Sequence, residues 1–341
     1  MWGTTLCPDP YGRIPRPPGA SVPRETAVLT VLMAIIEPFL LIALGFLLKR
    51  TRRFSSKELW NGVEKLVFWV LFPPLLFNSV ASAQLSGLNT AAFLAAGCFA
   101  MTGGIFMAKG VSVLAPADPM TDASVRQTGY RYNAYICFAM ALNLYGKDVM
   151  ALAALLAGVW VPISNAIAVT DLSCAANKGR GTDVRSIVKN VVTNPLIVAT
   201  LAGLAANILR HTTGLTVPVF VTKILSTLGN ASTATALLAI GAGLAVEEFS
   251  RYRRLITLST IQRLVVLPAF ALAMGLAAGL EPRFMAALMC YAMVPTANSC
   301  YIMASRMGGN GAVVSDLTSV EVLASLVTIP LWCVLLERLV F

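Results

Sequence analysis

Ten mostly apolar stretches of about 20 residues each, the length that crosses a hydrocarbon layer, recur along this chain. They lie near 28–48, 63–83, 91–115, 127–146, 149–170, 187–209, 219–246, 255–280, 284–305 and 312–339. A soluble helical core can hide one or two such runs, but not ten. Composition agrees: 57% of the 341 residues are hydrophobic and 12% are charged, where a soluble domain carries about 25% charged residues. The sequence therefore predicts an all-α integral membrane protein with about ten transmembrane helices.

In a soluble protein a formal net charge of +10 would suggest a nucleic-acid partner. Here Lys and Arg fill the short gaps between apolar runs, so the charge reads as topology and no nucleic acid is expected. Lys49, Arg50, Arg52, Arg53 and Lys57 follow the first run; Lys178, Arg180, Arg185 and Lys189 follow the fifth. Arg251, Arg253 and Arg254 follow the seventh, whereas ASAQLSGLNT after the second is uncharged. The basic loops are expected in the cytoplasm and both termini outside, in a plasma or inner cell membrane. Arg13, Arg16 and Arg24 before the first run pull the other way but are outnumbered. Seven scattered Cys without a C-x-x-C pair, and a single His, argue against a disulfide framework or metal site. No cofactor is expected. Residues 1–27, rich in Pro and Gly, lack the apolar core of a signal peptide. They are expected to be disordered or to precede a true start at Met33.

Five runs precede DLSCAANKGRGTDVR (171–185) and five follow it. An odd number per half turns the second half upside down. The expected fold is two inverted five-helix repeats, 28–170 and 187–341, joined by a cytoplasmic linker, 171–186. Glu37-Pro38 and Asn194-Pro195 are placed at equivalent points opening spans one and six, and Gly45 and Gly203 match to within one residue. Inverted repeats are a transporter architecture, with substrate held near the midplane where discontinuous helices meet. Spans four (RYNAYICFAMALNLYG) and nine (CYAMVPTANSCYIMASRMGG) are equivalent and the most polar of their halves. Breaks are predicted at Asn133 and Asn143 in one, and at Pro295, Asn298 and Ser299 in the other. Broken backbone at membrane depth is tolerated where it lines a cavity or binds something, and helix N-terminal ends there suit a carboxylate. Interhelical amide hydrogen bonding is the competing role for these polar residues. The substrate-binding candidates are Asn133, Asn143, Asn298 and Ser299.

Ionisable residues within spans are functional candidates by default. Span ten holds Asp316 and Glu321. Glu321 is a candidate for ion coupling, by proton or sodium, or for pairing with Arg131 or Arg306. Asp316 is a second coupling candidate, expected near the cytoplasmic end in contact with water. Glu37, Lys147-Asp148, His211, and Glu247-Glu248 with Arg251, Arg253 and Arg254 read as interfacial charge.

Several stretches resemble, in order, the auxin efflux carrier family, which includes bacterial malonate-type permeases. They are MAIIEPFLLIALGFLLKR (33–50), KLVFWVLFPPLLFNSVA (65–81), Leu144-Tyr145-Gly146, NPLIVATLAGL (194–204), MVPTANSCYIMAS (293–305) and TSVEVLASLVTIPLW (318–332). The resemblance covers about residues 33–340. It implies a fold similar to bile acid sodium symporters, broken helices four and nine that cross, elevator-type transport and a homodimer. It also implies a carboxylate-binding role for Asn133. The chain departs from the family pattern at Phe138-Ala139-Met140-Ala141-Leu142, where a crossover proline is usual. Ser299-Cys300 replaces a later proline of span nine, and NASTATALLAIGAGL in span seven also lacks one. The expected function is secondary transport of a small organic anion across the lipid bilayer. A non-transporting receptor or sensor with a transporter-like bundle is the alternative. One His and no H-E-x-x-H argue against a membrane enzyme, and no G-x-x-x-x-G-K-[ST] is present for an ATP-driven pump.

Overall fold

The structure is a computed structural model and describes residues 24–83, 87–176, 193, 195–244 and 249–340. Residues 1–23, the linker beyond Ala176, Asn194 and Glu247-Glu248 lie outside the described residues, and Asp171 to Ala176 belong to a helix.

All regular structure among the described residues is helical. In chain order the helices are α1 (Arg24–Lys49), α2 (Lys57–Leu66), α3 (Phe72–Ser82), α4 (Gly87–Leu114), α5 (Pro119–Arg126), α6 (Ala134–Met140) and α7 (Lys147–Ala176). There follow α8 (Pro195–Thr213), α9 (Val219–Gly243), α10 (Arg253–Ile261), α11 (Leu267–Ala277), α12 (Pro282–Ala292), α13 (Ser299–Arg306) and α14 (Gly311–Leu339). Short π-helical segments join α2 to α3 (Val67–Leu71) and α10 to α11 (Gln262–Val266), and a third (Ala141–Tyr145) extends α6. Among the described residues, seven stretches are long and apolar enough to cross a membrane: Lys57–Ser82, Asn89–Leu114, Lys147–Ala176, Pro195–Thr213, Val219–Gly243, Arg253–Ala277 and Gly311–Leu339. Leu201, Ile208, Phe220 and Leu331 on these helices are exposed, apolar side chains of the kind that meet lipid.

The prolines explain two of the π segments. A proline within a helix donates no hydrogen bond to the carbonyl four residues back and crowds it, and a one-turn widening relieves the clash. Pro73 and Pro74 follow the first π segment, and Pro268 follows the one at Gln262–Val266. Pro268 leaves the Leu264 carbonyl without its helical donor, and Trp332 Nε1 of α14 donates to that oxygen at 2.8 Å. Pro195 is the first residue of α8, where a missing N–H costs nothing. Pro38 differs from the sequence reading: α1 begins at Arg24, so Glu37-Pro38 lies within that helix rather than at its entry. Glu37 is exposed, in keeping with an interfacial carboxylate.

The helices pack in two groups. In one, α1 lies along α9, α3 along α8, and α9 against α3. In the other, α11 packs on α4 and α12, α12 on α7, and α13 on α14. The groups meet where α7 touches α3 and α8. Glycines set the closest approaches in the first group. A Cβ on Gly45 of α1 would strike the Leu238 carbonyl of α9, and one on Gly241 of α9 would strike the Ile42 carbonyl of α1. A Cβ on Gly203 of α8 would come within 2.8 Å of the Phe77 carbonyl of α3. Small residues let backbones approach this closely in bundles whose surroundings are as apolar as their side chains. Gly241→Ala should therefore lower stability by about 1–3 kcal/mol, the usual cost of overpacking. Gly243→Ala, on the same helix with nothing within 4 Å of its Cβ position, should be neutral or gain up to about 1 kcal/mol from helix propensity. Thermal unfolding of both variants in detergent checks the contrast.

Candidate functional site

Two helices are interrupted inside the second group, and their interruptions touch. After α5 the chain makes a 3₁₀ turn (Gln127–Gly129), runs without helical geometry to Asn133 and re-enters a helix at Ala134. After α12 it leaves helical geometry over 293–298 and resumes at Ser299. The Asn133 amide donates to the Pro295 carbonyl at 2.8 Å. Beside this bond the rings of Tyr132 and Tyr291 stack with centroids 3.8 Å apart. Arg126 anchors the approach to the first break, holding Asp122 at 2.7 Å and Asp171 of α7 at 3.3 Å.

Backbone groups released by a break must be satisfied from elsewhere when no water is at hand. Here side chains from neighbouring elements do so. Arg263, fully buried in the π segment before α11, donates Nη1 to the Ala292 carbonyl at 2.7 Å and Nη2 to the Tyr291 carbonyl at 3.4 Å. It thereby caps the carbonyl end of α12, where a cation is favoured. Glu321 of α14, also fully buried, accepts the Thr296 amide on Oε2 at 2.7 Å. Gln262 Nε2 reaches the Gly129 carbonyl at 3.1 Å, and Trp160 Nε1 of α7 reaches that of Tyr130 at 3.0 Å. Gln127 Nε2 bonds the Cys300 carbonyl at 3.2 Å and so ties the first interruption to α13.

The sequence candidates divide accordingly. Asn133 is 1% exposed and caps α6, its Oδ1 accepting from the amides of Tyr135 at 3.1 Å and Ile136 at 3.2 Å. Its Nδ2 has no partner among the described residues. Asn298 is half-buried and lies beside Glu64 of α2. Ser299 is exposed, and its Oγ accepts from Arg131 Nη2 at 2.8 Å. These three residues lie on the two touching interruptions. Asn143 does not join them: it is half-buried in the π segment after α6, about 15 Å along the helix from Asn133 at 1.5 Å per residue.

Both ion-coupling candidates of span ten, Asp316 and Glu321, are buried. Asp316, expected in contact with water, sits one turn inside α14. Its neighbours Val313 and Leu317 pack in a cluster with Val111, Leu255 and Ile256. The cation within electrostatic range of Glu321 is Arg263, not Arg131, which bonds Gln127 and Ser299, nor the exposed Arg306. Arg263 and Gln262 escaped the sequence reading, as did Glu64. The signal was present: QRLVVLP places an arginine within an apolar run, the same criterion that singled out Glu321. A separate cavity of about 500 Å³ lies between α3, α7, α8 and α9. Asn78, Lys147, Arg210 and Asn230 line it, and none of the sequence candidates for ion coupling or the crossing does. Lys147, Asp148 and His211 are exposed, in keeping with interfacial charge.

Removing one partner of a buried charge pair strands the other. Arg263→Met should cost about 3–5 kcal/mol on that ground, because Glu321 and the α12 carbonyls all lose their cation. Adding Glu321→Gln should return at least about 1 kcal/mol, since the amide oxygen still accepts the Thr296 N–H without a charge. Unfolding midpoints of the wild type, both single variants and the double variant measure the coupling.

No curated protein matches the chain. Residues 182–333 match a family described as Membrane transport protein, the domain of the auxin efflux carrier family. That region contains Arg263, the second interruption with Pro295, Asn298 and Ser299, and Glu321. The chain is thus a multi-pass membrane protein whose residues 182–333 are similar to the membrane transport proteins of that family.

Proposed function

We propose that the protein is a secondary carrier that moves a small organic anion by alternating access. The observation that carries this reading is the contact between the two interruptions, Asn133 N–H to Pro295 carbonyl. Non-helical backbone at membrane depth is retained where it serves a binding site, and two such segments meeting near the bundle centre are the usual plan of a transporter site. The family match supports transport as the activity. On this reading the anion is bound at the crossing by the Asn133 amide donor, Asn298 and Ser299.

Reciprocal glycine packing supports two inverted five-helix halves. Gly45 of the first span packs on the seventh, and Gly203 of the sixth packs on the second, which is the exchange that a two-fold relation between halves requires. The division of helices into two packed groups supports an elevator. The group holding the crossing would slide against α1, α3, α8 and α9, which stay together through their glycine contacts. Glu321 supplies a coupling group: it is fully buried, and its Oε1 has no partner among the described residues. The buried Asp316 is the second carboxyl on the same helix.

Reconstitution tests the reading. Proteoliposomes should accumulate at least one of radiolabelled malonate, lactate or indole acetate, and a proton or sodium gradient should drive it. Failure with all three under every gradient would refute a carboxylate carrier and favour a receptor. Asn133→Ser keeps an oxygen to cap α6 but deletes the amide donor, so uptake at low substrate should fall about tenfold or more with unfolding unchanged. Glu321→Gln should keep substrate binding and lose the response to the driving gradient.

A further inference from the structure

Arg131 poses an electrostatic problem that the protein atoms around it do not solve. It lies in the first interruption, two residues before Asn133, and is 6% exposed. Its Nη1 donates to Gln127 Oε1 at 2.6 Å and approaches Met303 Sδ at 3.7 Å, and its Nη2 donates to Ser299 Oγ at 2.8 Å. All three acceptors are neutral. The acidic groups near the crossing are otherwise engaged. Asp122 and Asp171 hold Arg126, Glu64 lies beside Asn298, and Glu321 holds the Thr296 amide within range of Arg263. No carboxylate among the described residues forms an ion pair with Arg131. A buried charge without a counter-charge is strongly disfavoured. Lysine or histidine can escape by losing a proton, but arginine does not. The positive charge therefore persists.

The surroundings of Arg131 give an anion both a way in and a second donor. Ser299 is exposed while Arg131 beneath it is not. A hydroxyl that accepts a hydrogen bond keeps its own O–H to donate, and Ser299 makes no other bond among the described residues. Arginine presents five N–H donors in a fork matched to a carboxylate, and three contacts to neutral acceptors leave room for one. We propose that Arg131, with the Ser299 hydroxyl, is the anion anchor of the crossing and takes one carboxylate group of the transported species. The carboxylate part of this assignment rests on the carrier reading above; the demand for an anion does not. Both residues bridge the two interruptions, so a bound anion would hold the α5–α6 break to the α12–α13 break from the accessible side.

The test uses the full chain purified in detergent, with thermal unfolding followed against malonate, lactate and sulfate. Wild type should be stabilised by malonate or lactate. Arg131→Gln should weaken that response about 10- to 100-fold in apparent affinity, and its ligand-free unfolding temperature should be unchanged or higher, because an uncompensated charge has been removed. A structural clamp would behave oppositely: ligand-free unfolding would drop while the malonate response persisted, and that result overturns the anchor. Arg131→Lys retains charge without the fork and should bind about tenfold more weakly than wild type, and Ser299→Ala should lose about threefold. Should Arg131→Gln fail to fold, wild-type affinity in both of these variants overturns the proposal by itself. The two readings separate cleanly. Uptake of carboxylate that survives Arg131→Gln removes the anchor and leaves the carrier. Sulfate or malonate binding that depends on Arg131, without transport of any carboxylate, removes the carrier and leaves the anchor.

Discussion

The hydrogen bond from the Asn133 amide to the Pro295 carbonyl joins two segments that have both left helical geometry within a bundle of apolar helices. A peptide group in that position has no water to turn to, and each unsatisfied one costs several kcal/mol in an apolar medium. Two breaks cannot satisfy each other fully, because their geometries match at one point only. The remaining groups must be met by side chains long enough to reach and polar enough to bond. That requirement accounts for several of the buried polar residues in this part of the chain: Gln127, Trp160, Gln262, Arg263 and Glu321 each end on a backbone atom of an interruption or of a helix end beside one.

The family that the sequence resembles usually carries prolines at its crossings, which break a helix by removing a donor. This chain lacks two of those prolines, and its breaks persist by a different physical route. At the second break Arg263 binds the carbonyls that end α12, and Glu321 binds an amide shortly before α13 begins. Continuing the helix through 293–298 would pair the Ala292 carbonyl with the Thr296 amide, so Arg263 and Glu321 compete with the helix for these two partners, while Pro295 offers the Tyr291 carbonyl no donor. A cation at a helix C-terminus and an anion near the next N-terminus also follow the direction of the helix dipole. At the first break Asn133 caps α6 through Oδ1, the ordinary way in which a helix start is fixed. Sequence departure at the prolines therefore changes the means of interruption rather than removing it.

How much of this was legible in the sequence follows from what each feature depends on. Long apolar runs depend on hydrocarbon thickness alone, so stretches such as 149–170 and 312–339 could be read with small boundary errors against Lys147–Ala176 and Gly311–Leu339. The interruption before Asn133 was marked by local polarity, which a single sequence displays. Partnerships were not legible, because they depend on distances across the fold. Glu321 drew attention as a lone acid, but its cation was sought in Arg131 or Arg306, and it is Arg263 that lies within range. Glu64 was overlooked because it sits at a span edge, where a carboxylate ordinarily meets water; its contact with Asn298 depends on α2 lying beside the second break. Pro38 was read by analogy with Pro195, yet the start of a helix depends on residues further upstream, and α1 starts at Arg24. Asp316 shows the same limit, since its depth depends on the helices packed over it.

Charge arithmetic links the crossing to movement. Carrying an unbalanced charge through the centre of a bilayer is opposed by at least about 2.5–3.5 kcal/mol, so an elevator body moves most readily when its buried charges cancel. Within the group that the proposed elevator would move, Glu321 lies within electrostatic range of Arg263 and would offset its charge when ionised. Arg131 has no carboxylate partner among the described residues. Under the proposed anchor one carboxylate cancels it, so the loaded body is neutral at the crossing and the empty body carries one positive charge. A carrier built this way would resist crossing empty and would favour exchange of one anion for another. The buried carboxylate and the substrate would then act on the same barrier through the two arginines, without touching one another.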